Sequence, residues 1–462
     1  MTKLTALLVL LSGCAFGQPV FINETFSDNY RSWPLGSGDN YNLRIEGGKY
    51  IITTTEEGKG RVIRIYPFFD KRKDFSLEAT FLQKSGSNNN GVGLVWGENP
   101  AGKHYEFVIA GTGYYKIQGA DKVKGNDEWV EYKHINPTGK TNHLRVQQKN
   151  AVWSFYINDK KVKEIDVQKL SGNAIGFTTY TNMVLEIDDF IFKHDVKINL
   201  PDKMTTGLVK ENLGRHVNTI YGDISPKITT DGRTIYFAVR DDPATQTKPD
   251  EETSDIWITT SEDGITWSKS RKLGPEINTS RVNNLAAISA DNNMMLFCLT
   301  EGFKVRRRTA TGWSEPEWLN VKFKNEANHM EGSLSADGKA IVFAVKLPGN
   351  VEYVKEQKTE DKDIYVTVQD NNGVWSEPIN LGKKINTGMN ELAPFLAADG
   401  RTLYFASDGH PGYGGADIFM SKRKGNGWTD WTEPVNLGPE INTPAFDAYY
   451  TVSAAADYAY IS

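Results

Sequence analysis

Four polar residues stand eight positions ahead of the first residue of an Asp-Gly or Asp-Asn turn: Asp223, Asn283, His329 and Glu391. At the opening of the innermost strand of a repeat they would face a central channel. There a ring of carboxylates and amides could bind a cation or the basic end of a peptide, or could simply line a solvent-filled channel. Five aromatics in the first half, Trp33, Trp96, Tyr105, Tyr114 and Tyr115, could form a platform on which sugars stack, or could pack in a core; Trp96 and Tyr105 are the ligand-binding candidates among them. Glycoside hydrolysis with retention would need two carboxylates about 5–5.5 Å apart, one to attack and one to protonate. The run Glu186-Ile187-Asp188-Asp189 carries acids but falls in a closing strand, and reads as structural. No catalytic residue is assigned. The 7 histidines include no His-x-x-x-His, and the 2 cysteines are far apart, so zinc is not expected. No cofactor is expected; calcium in the first domain stays open.

The positioning elements come next. A chain of 462 residues is long enough for two domains. Hydrophobic residues make up 39% and aromatics 11%, enough for real cores, while a net charge of −5 with interspersed signs argues against nucleic acid as the partner. The basic run Lys304–Arg308 reads as a solvated strand or hairpin edge. At the start, Lys3 and the apolar stretch Leu4–Leu11 make a secretory signal, too short to span a membrane. Its end has two readings. Cleavage after Gly17 would leave a free chain from Gln18, whereas Leu11-Ser12-Gly13-Cys14 resembles a bacterial lipobox, with Cys14 the lipidated residue. Both place the mature chain in the periplasm, at the outer membrane or on the cell surface. Cys298 lies in the apolar run Met294–Leu299 and reads as a small buried hydrophobe.

Residues 20–197 read as strands and turns. Phe75–Phe81 alternates with period two, Gly91–Trp96 follows a Ser/Asn-rich turn, and Trp153–Ile157 leads to a turn at Asn158-Asp159. Many short antiparallel strands imply a sandwich. After a linker at 198–206, residues 207–462 are built of repeats. The turns at Asp231, Asp291, Asp337 and Asp399 are spaced by 60, 46 and 62 residues, each before an apolar strand. Asp-Ile-aromatic recurs at Asp255, Asp363 and Asp417; Trp-Ser/Thr-Glu-Pro at Trp313, Trp375 and Trp431; Leu-Gly-x-x-Ile-Asn-Thr at Leu273, Leu381 and Leu437. Four markers in a constant order define a unit of about four strands, one blade of a β-propeller. The tail motif also occurs at Leu213–Thr219 with no blade before it, so residues around 207–214 are expected to give a strand that closes the ring. A fifth unit starts near Pro444 and is incomplete at Ser462, which reads as a fragment of a longer protein. Charged inserts at 241–254 and 346–361 are expected to project from one rim.

The segments Asn142–Val162, Gly172–Tyr180 and Glu186–Phe192 resemble the closing strands of concanavalin A-like or laminin G-like jelly rolls, which implies two sheets and often a concave carbohydrate-binding face. Endoglucanases of that family place their acids in a Glu-x-Asp-x-x-Glu pattern, and the run from Glu186 lacks the final Glu. The stretch Leu392–Thr443 resembles TolB-type, WD-repeat-like propellers, in particular those that precede an OmpA-like domain in Bacteroidetes-type outer-membrane proteins. Ser261–Trp267 resembles the Asp-box of sialidase propellers, one residue short, and that box is a folding turn rather than an active site. The expected fold class is all-β, a jelly-roll sandwich followed by a propeller of four recognisable blades and a truncated fifth. The expected function is a non-enzymatic cell-envelope binding or scaffold protein: the sandwich recognises a glycan or a protein, and the propeller is an interaction platform. A carbohydrate-active enzyme and a structural spacer are the alternatives.

Overall fold

A computed structural model describes residues 20–27, 29, 33–55, 60–67, 69–99, 101–119, 128–202, 210–244, 253–321, 323–327, 329–351, 362–443, 445–453 and 458–462. The expected signal segment with Cys14, and most of the two charged inserts, lie outside these residues. The chain is all-β and forms two compact units, the first built chiefly from residues up to Val196 and the second from those after it.

The first unit is a jelly-roll sandwich of two antiparallel sheets. The nine-stranded sheet runs in the order Lys160–Asp166, Val152–Ile157, Thr141–Lys149, Phe75–Gly86, Met183–His194, Lys49–Thr54, Tyr41–Glu46 and Gly36–Gly38, with Val20–Glu24 also paired to Met183–His194. The six-stranded sheet runs Val130–Glu131, Tyr114–Gly119, Tyr105–Ala110, Val92–Glu98, Ala174–Thr179 and Arg61–Ile65. In Thr141–Lys149, Asn142, Leu144, Val146 and Gln148 are buried and their neighbours are not, so the period of two sends one face to the core. Asn158 and Asp159 both have positive φ, 49° and 65°, as a two-residue type I′ hairpin requires. The core between the sheets is aromatic: Trp33 stacks on Phe177 at 5.0 Å, and Trp153 meets Trp96 edge-on at 5.3 Å.

The second unit is a β-propeller. Blade 1 is Gly222–Ile228, Thr234–Arg240, Ser254–Thr260 and Arg271–Lys272. Blade 2 is Leu285–Ile288, Met294–Leu299 and Gly302–Thr309, with two short strands, Gly312–Trp313 and Glu317–Trp318, on its third. Blade 3 is Glu331–Leu334, Ala340–Val345, Asp363–Val368 and Ile379–Asn380, and blade 4 is Glu391–Leu396, Thr402–Ser407, Asp417–Lys422 and Val435–Asn436. Blade 5 has two strands among the described residues, Thr451–Val452 and Ala459–Tyr460. First strands of successive blades from 1 to 4 lie side by side, and that of blade 5 lies against blade 1. The apolar clusters sit between blades: Leu296, Phe303, Ile341 and Phe343 join blades 2 and 3, while Val342, Ile364, Leu403 and Phe405 join blades 3 and 4. A four-stranded sheet buries its faces only against its neighbours, which is why the unit repeats. Of the segment 207–214, residues 207–209 lie outside the described residues, and Lys210–Gly214 lie in no strand.

Candidate functional site

The repeated polar set is spent on turns rather than on a channel. Asp223 accepts hydrogen bonds from the Thr219 N–H (2.7 Å) and hydroxyl (2.8 Å). Glu391 does the same with the Thr387 N–H and hydroxyl, both at 2.8 Å, and also takes the Ser407 hydroxyl. Glu391 is fully buried, and burial holds its carboxyl well above the usual range. Asn283 accepts from the Ser280 N–H and donates to the carbonyls of Ser254 and Ser280. Blade 2 lacks the tail motif, and His329, half-buried, precedes the first strand of blade 3; its carbonyl accepts from the Asn325 amide. The side chains of Asp223, Asn283 and Glu391 tie the incoming loop to the inner strand that follows it. This corrects the expectation of a channel-binding ring for Asp223, Asn283 and Glu391, because their side-chain oxygens already have donors in the turns.

The aromatics are placed by strand parity. Trp96 is fully buried and Tyr105 is 5% exposed; the pair stacks at 5.9 Å within the core, so neither offers a face to a sugar. Trp33 is also buried, its indole N–H donated to Glu24 Oε2 at 3.0 Å, and Tyr115 is buried beside Phe107. Tyr114 alone of the five is exposed, where the short strand Val130–Glu131 pairs. The acids of the Glu186 run are structural: Glu186 pairs with Lys84, Asp188 pairs with Lys49 at 2.7 Å, and Asp189 sits at a bulge with φ 49°. In the basic run, Arg308 covers Trp313, Lys304 covers Trp318, and Arg306 is buried. Asp263 accepts from the Ser261 hydroxyl and the N–H groups of Ile265 and Thr266, so Ser261–Trp267 is a folding turn. Among the described residues no group of three or more His, Cys, Asp or Glu is placed to hold a metal ion.

One residue away from Trp96 and Tyr105, on the opposite face of the six-stranded sheet, lies a polar site that the sequence reading passed over. Arg64 stands opposite Gly176, Gly176 opposite Val95, Val95 opposite Glu106, and Glu106 opposite Gln118. These five form one row across five strands. Their neighbours Ile63, Phe177, Leu94, Trp96, Tyr105, Phe107 and Ile117 point into the core, so the row faces outward. The next row over contains Gly93, where a Cβ would lie 1.9 Å from the Phe107 carbonyl; only glycine allows the strands to come so close.

The floor of this face is acidic and its rim is mixed. Glu106 is 5% exposed; the Gln118 amide donates to its Oε1, and the Tyr180 hydroxyl reaches the same oxygen at 3.4 Å. Glu98 is 2% exposed; its Oε1 meets Arg64 Nη1 at 3.2 Å, while its Oε2 takes no hydrogen bond from a described residue. Burial pushes both carboxyls up; His104 partly offsets this at each, with Arg64 helping at Glu98 and the Tyr180 hydroxyl and Lys116 at Glu106. At the edge of the face, a Cβ on Gly91 would touch two rings, Tyr180 at 3.3 Å and Trp129 at 3.4 Å. Trp129 is 38% exposed. Exposed aromatic surface next to oriented amide, hydroxyl, guanidinium and carboxyl groups suits a neutral polyhydroxylated ligand, whose ring stacks while its hydroxyls are bonded. The signal for Glu106 was a lone acid in the otherwise apolar strand Tyr105–Ala110, next to Tyr105 and so on the opposite face of the sheet; nothing in the sequence pointed to Trp129.

No family model matches this chain, and no curated protein matches it either. Among solved structures it is similar to the carbohydrate-binding module CBM66 from Bacillus subtilis, at 15% identity over 36% of this chain and 97% of that one, TM-score 0.28. It is also similar to TolB from Acinetobacter baumannii, at 17% identity over 44% of this chain and 41% of that one, TM-score 0.28. The NanB sialidase from Streptococcus pneumoniae aligns over 82% of this chain and 90% of its own, at 10% identity and TM-score 0.29. Likeness this slight says nothing of what this chain binds.

Proposed function

We propose that this is an exported, non-enzymatic glycan-binding protein of the cell envelope, with the sandwich as the recognition module and the propeller as a platform for protein contacts. One observation carries the reading: Trp129 and Tyr180 stand over Gly91 at the edge of the outward polar row of Arg64, Glu106 and Gln118. The acids form the floor of the site and orient the rim groups above it. The test is a glycan array with the full chain, repeated with Trp129→Ala and Gln118→Ala. Both variants should lose the wild-type signal by tenfold or more and keep the wild-type unfolding temperature. A signal that survives both retires this face as the site.

The enzymatic alternative has one observation in its favour, two buried carboxyls on one face both shifted towards the protonated form. Turnover of any glycan bound on the array, abolished by Glu106→Gln, would establish it in place of the binding reading.

A further inference from the structure

The tail motifs carry two fastenings. The Asn is a clamp on the third strand of the blade: Asn386 Oδ1 accepts the Ile364 N–H at 2.7 Å and its amide donates to the Ile364 carbonyl at 2.9 Å, as Asn442 does on Ile418 and Asn278 on Ile256. Asn218 holds the same place in the first copy. The closing Thr is the second fastening. Its N–H and hydroxyl both donate to an acid four residues on: Thr219 to Asp223, Thr387 to Glu391 and Thr443 to Asp447. The copy that leads into blade 2 departs from this rule. Position 283 is Asn, whose Oδ1 accepts from the Ser280 N–H instead, and the Thr279 N–H turns to the Ile277 carbonyl at 3.0 Å. Among the described residues the hydroxyls of Thr279 and Ser280 have no hydrogen-bond partner.

Beside this turn lies a cleft of about 60 Å³, lined by Thr279, Ser280, Lys304 and Arg306, with no Asp or Glu among its lining residues. Val282 and Phe297 add apolar wall. Lys304 and Arg306 are two apart on the strand Gly302–Thr309, so they share a face. Arg306 is 4% exposed; its Nη1 donates to the Ser314 carbonyl at 2.7 Å, and no acid among the described residues pairs with it. Lys304 covers Trp318 at 4.5 Å and has no acidic partner among those residues either. The Asn283 amide reaches Asp255 at 3.3 Å, but that acid is paired with Lys272 at 2.6 Å and does not line the cleft. A buried cation without a counter-ion is costly, so an anion entering here would stabilise the blade. The change from acid to amide at position 283 thus coincides with two unpaired cations and two unpaired hydroxyls around one cleft.

We propose that this cleft between the entering loop and the third strand of blade 2 binds a small organic acid. Arg306 and Lys304 hold its carboxylate, the Thr279 and Ser280 hydroxyls donate to it, and its short apolar chain lies against Val282 and Phe297. Charged and hydroxyl donors on one side match the lone pairs of a carboxylate, and the apolar wall favours an organic acid over an inorganic ion. The probe is isovalerate, titrated against the full chain by ligand-detected NMR. Saturation is expected at or below about 10 mM. Isovaleramide, equal in shape and uncharged, should fail to bind. Lys304→Gln should weaken isovalerate binding about threefold or more, and Arg306→Gln about tenfold or more. The amide arm is read on the wild-type chain and stands even if Arg306→Gln does not fold. No saturation by about 100 mM, equal binding by the amide, or wild-type binding by both variants overturns the inference. Sulfate that displaces isovalerate at a lower concentration than isovalerate itself needs would make this a site for an inorganic oxyanion and overturn the choice of ligand.

Discussion

Replacing Asn386 by alanine should cost far more than the same change at Asn218, although the two residues occupy equivalent positions in the repeat. Asn386 is 1% exposed and Ile364 fully buried. Without the Asn386 carbonyl the Ile364 N–H has lost its acceptor, while the Ile364 carbonyl keeps the Leu381 N–H. One orphaned buried donor costs about 1–3 kcal/mol, and the lost link to Asn380 adds about 0.5–1.5 kcal/mol, giving about 2–4 kcal/mol in all. Asn218 is half-buried and loses only its bond to Asn212, so Asn218→Ala should cost no more than about 1 kcal/mol. Hydrogen exchange of the full chain, read by mass spectrometry on peptides covering Asp363–Val368, isolates the effect. A local loss of about 2 kcal/mol raises the exchange of the Ile364 amide about 30-fold. Equal destabilisation by the two variants, or none by Asn386→Ala, would refute the clamp as the element that holds each third strand.

Three further outcomes follow from packing and charge. Lys227 Nζ lies 3.4 Å from the Gly332 carbonyl, and burial lowers its pKa to about 8 from the usual 10.5. The unfolded chain therefore binds more protons between those values, so stability rises as pH climbs through about 8 towards 10; Lys227→Met should raise the unfolding temperature at pH 7, with a gain that shrinks by pH 10. Gly93→Ala drives a Cβ to 1.9 Å from the Phe107 carbonyl and should cost about 2–4 kcal/mol by chemical denaturation. Trp96→Ala should cost about 3–5 kcal/mol as a core cavity, whereas the exposed Trp129→Ala leaves denaturation within about 0.5 kcal/mol of wild type.

The propeller was legible because its repeats are backbone devices. The turn Asp residues, the Asp-Ile-aromatic strands and the Leu-Gly-x-x-Ile-Asn-Thr tails recur since each blade must satisfy the same buried N–H and C=O groups, as Asn278, Asn386 and Asn442 do. The same fact misled the search for a site: Asp223, Asn283 and Glu391 recur for the sake of the turn, and a repeated polar residue looks alike whether it serves a loop or a ligand. In the sandwich, Tyr105–Ala110 is apolar but for Glu106, so the sequence does not reveal which face of that strand is inward. Trp96 and Tyr105 drew attention by type, while Glu106, of opposite parity, lies on the outward face. Trp129 escaped because its relation to Gly91 and Tyr180 is tertiary, joining residues far apart in sequence.

The central claim is that the outward face of the six-stranded sheet is the glycan site. Hydrogen exchange of the full chain with and without the strongest oligosaccharide from the array tests it most directly. The account predicts slower exchange confined to the strands bearing Arg64, Glu106 and Gln118 and to the segment around Trp129, with the propeller blades unchanged. Protection on the nine-stranded sheet or in the propeller, with those strands unaffected, would contradict it.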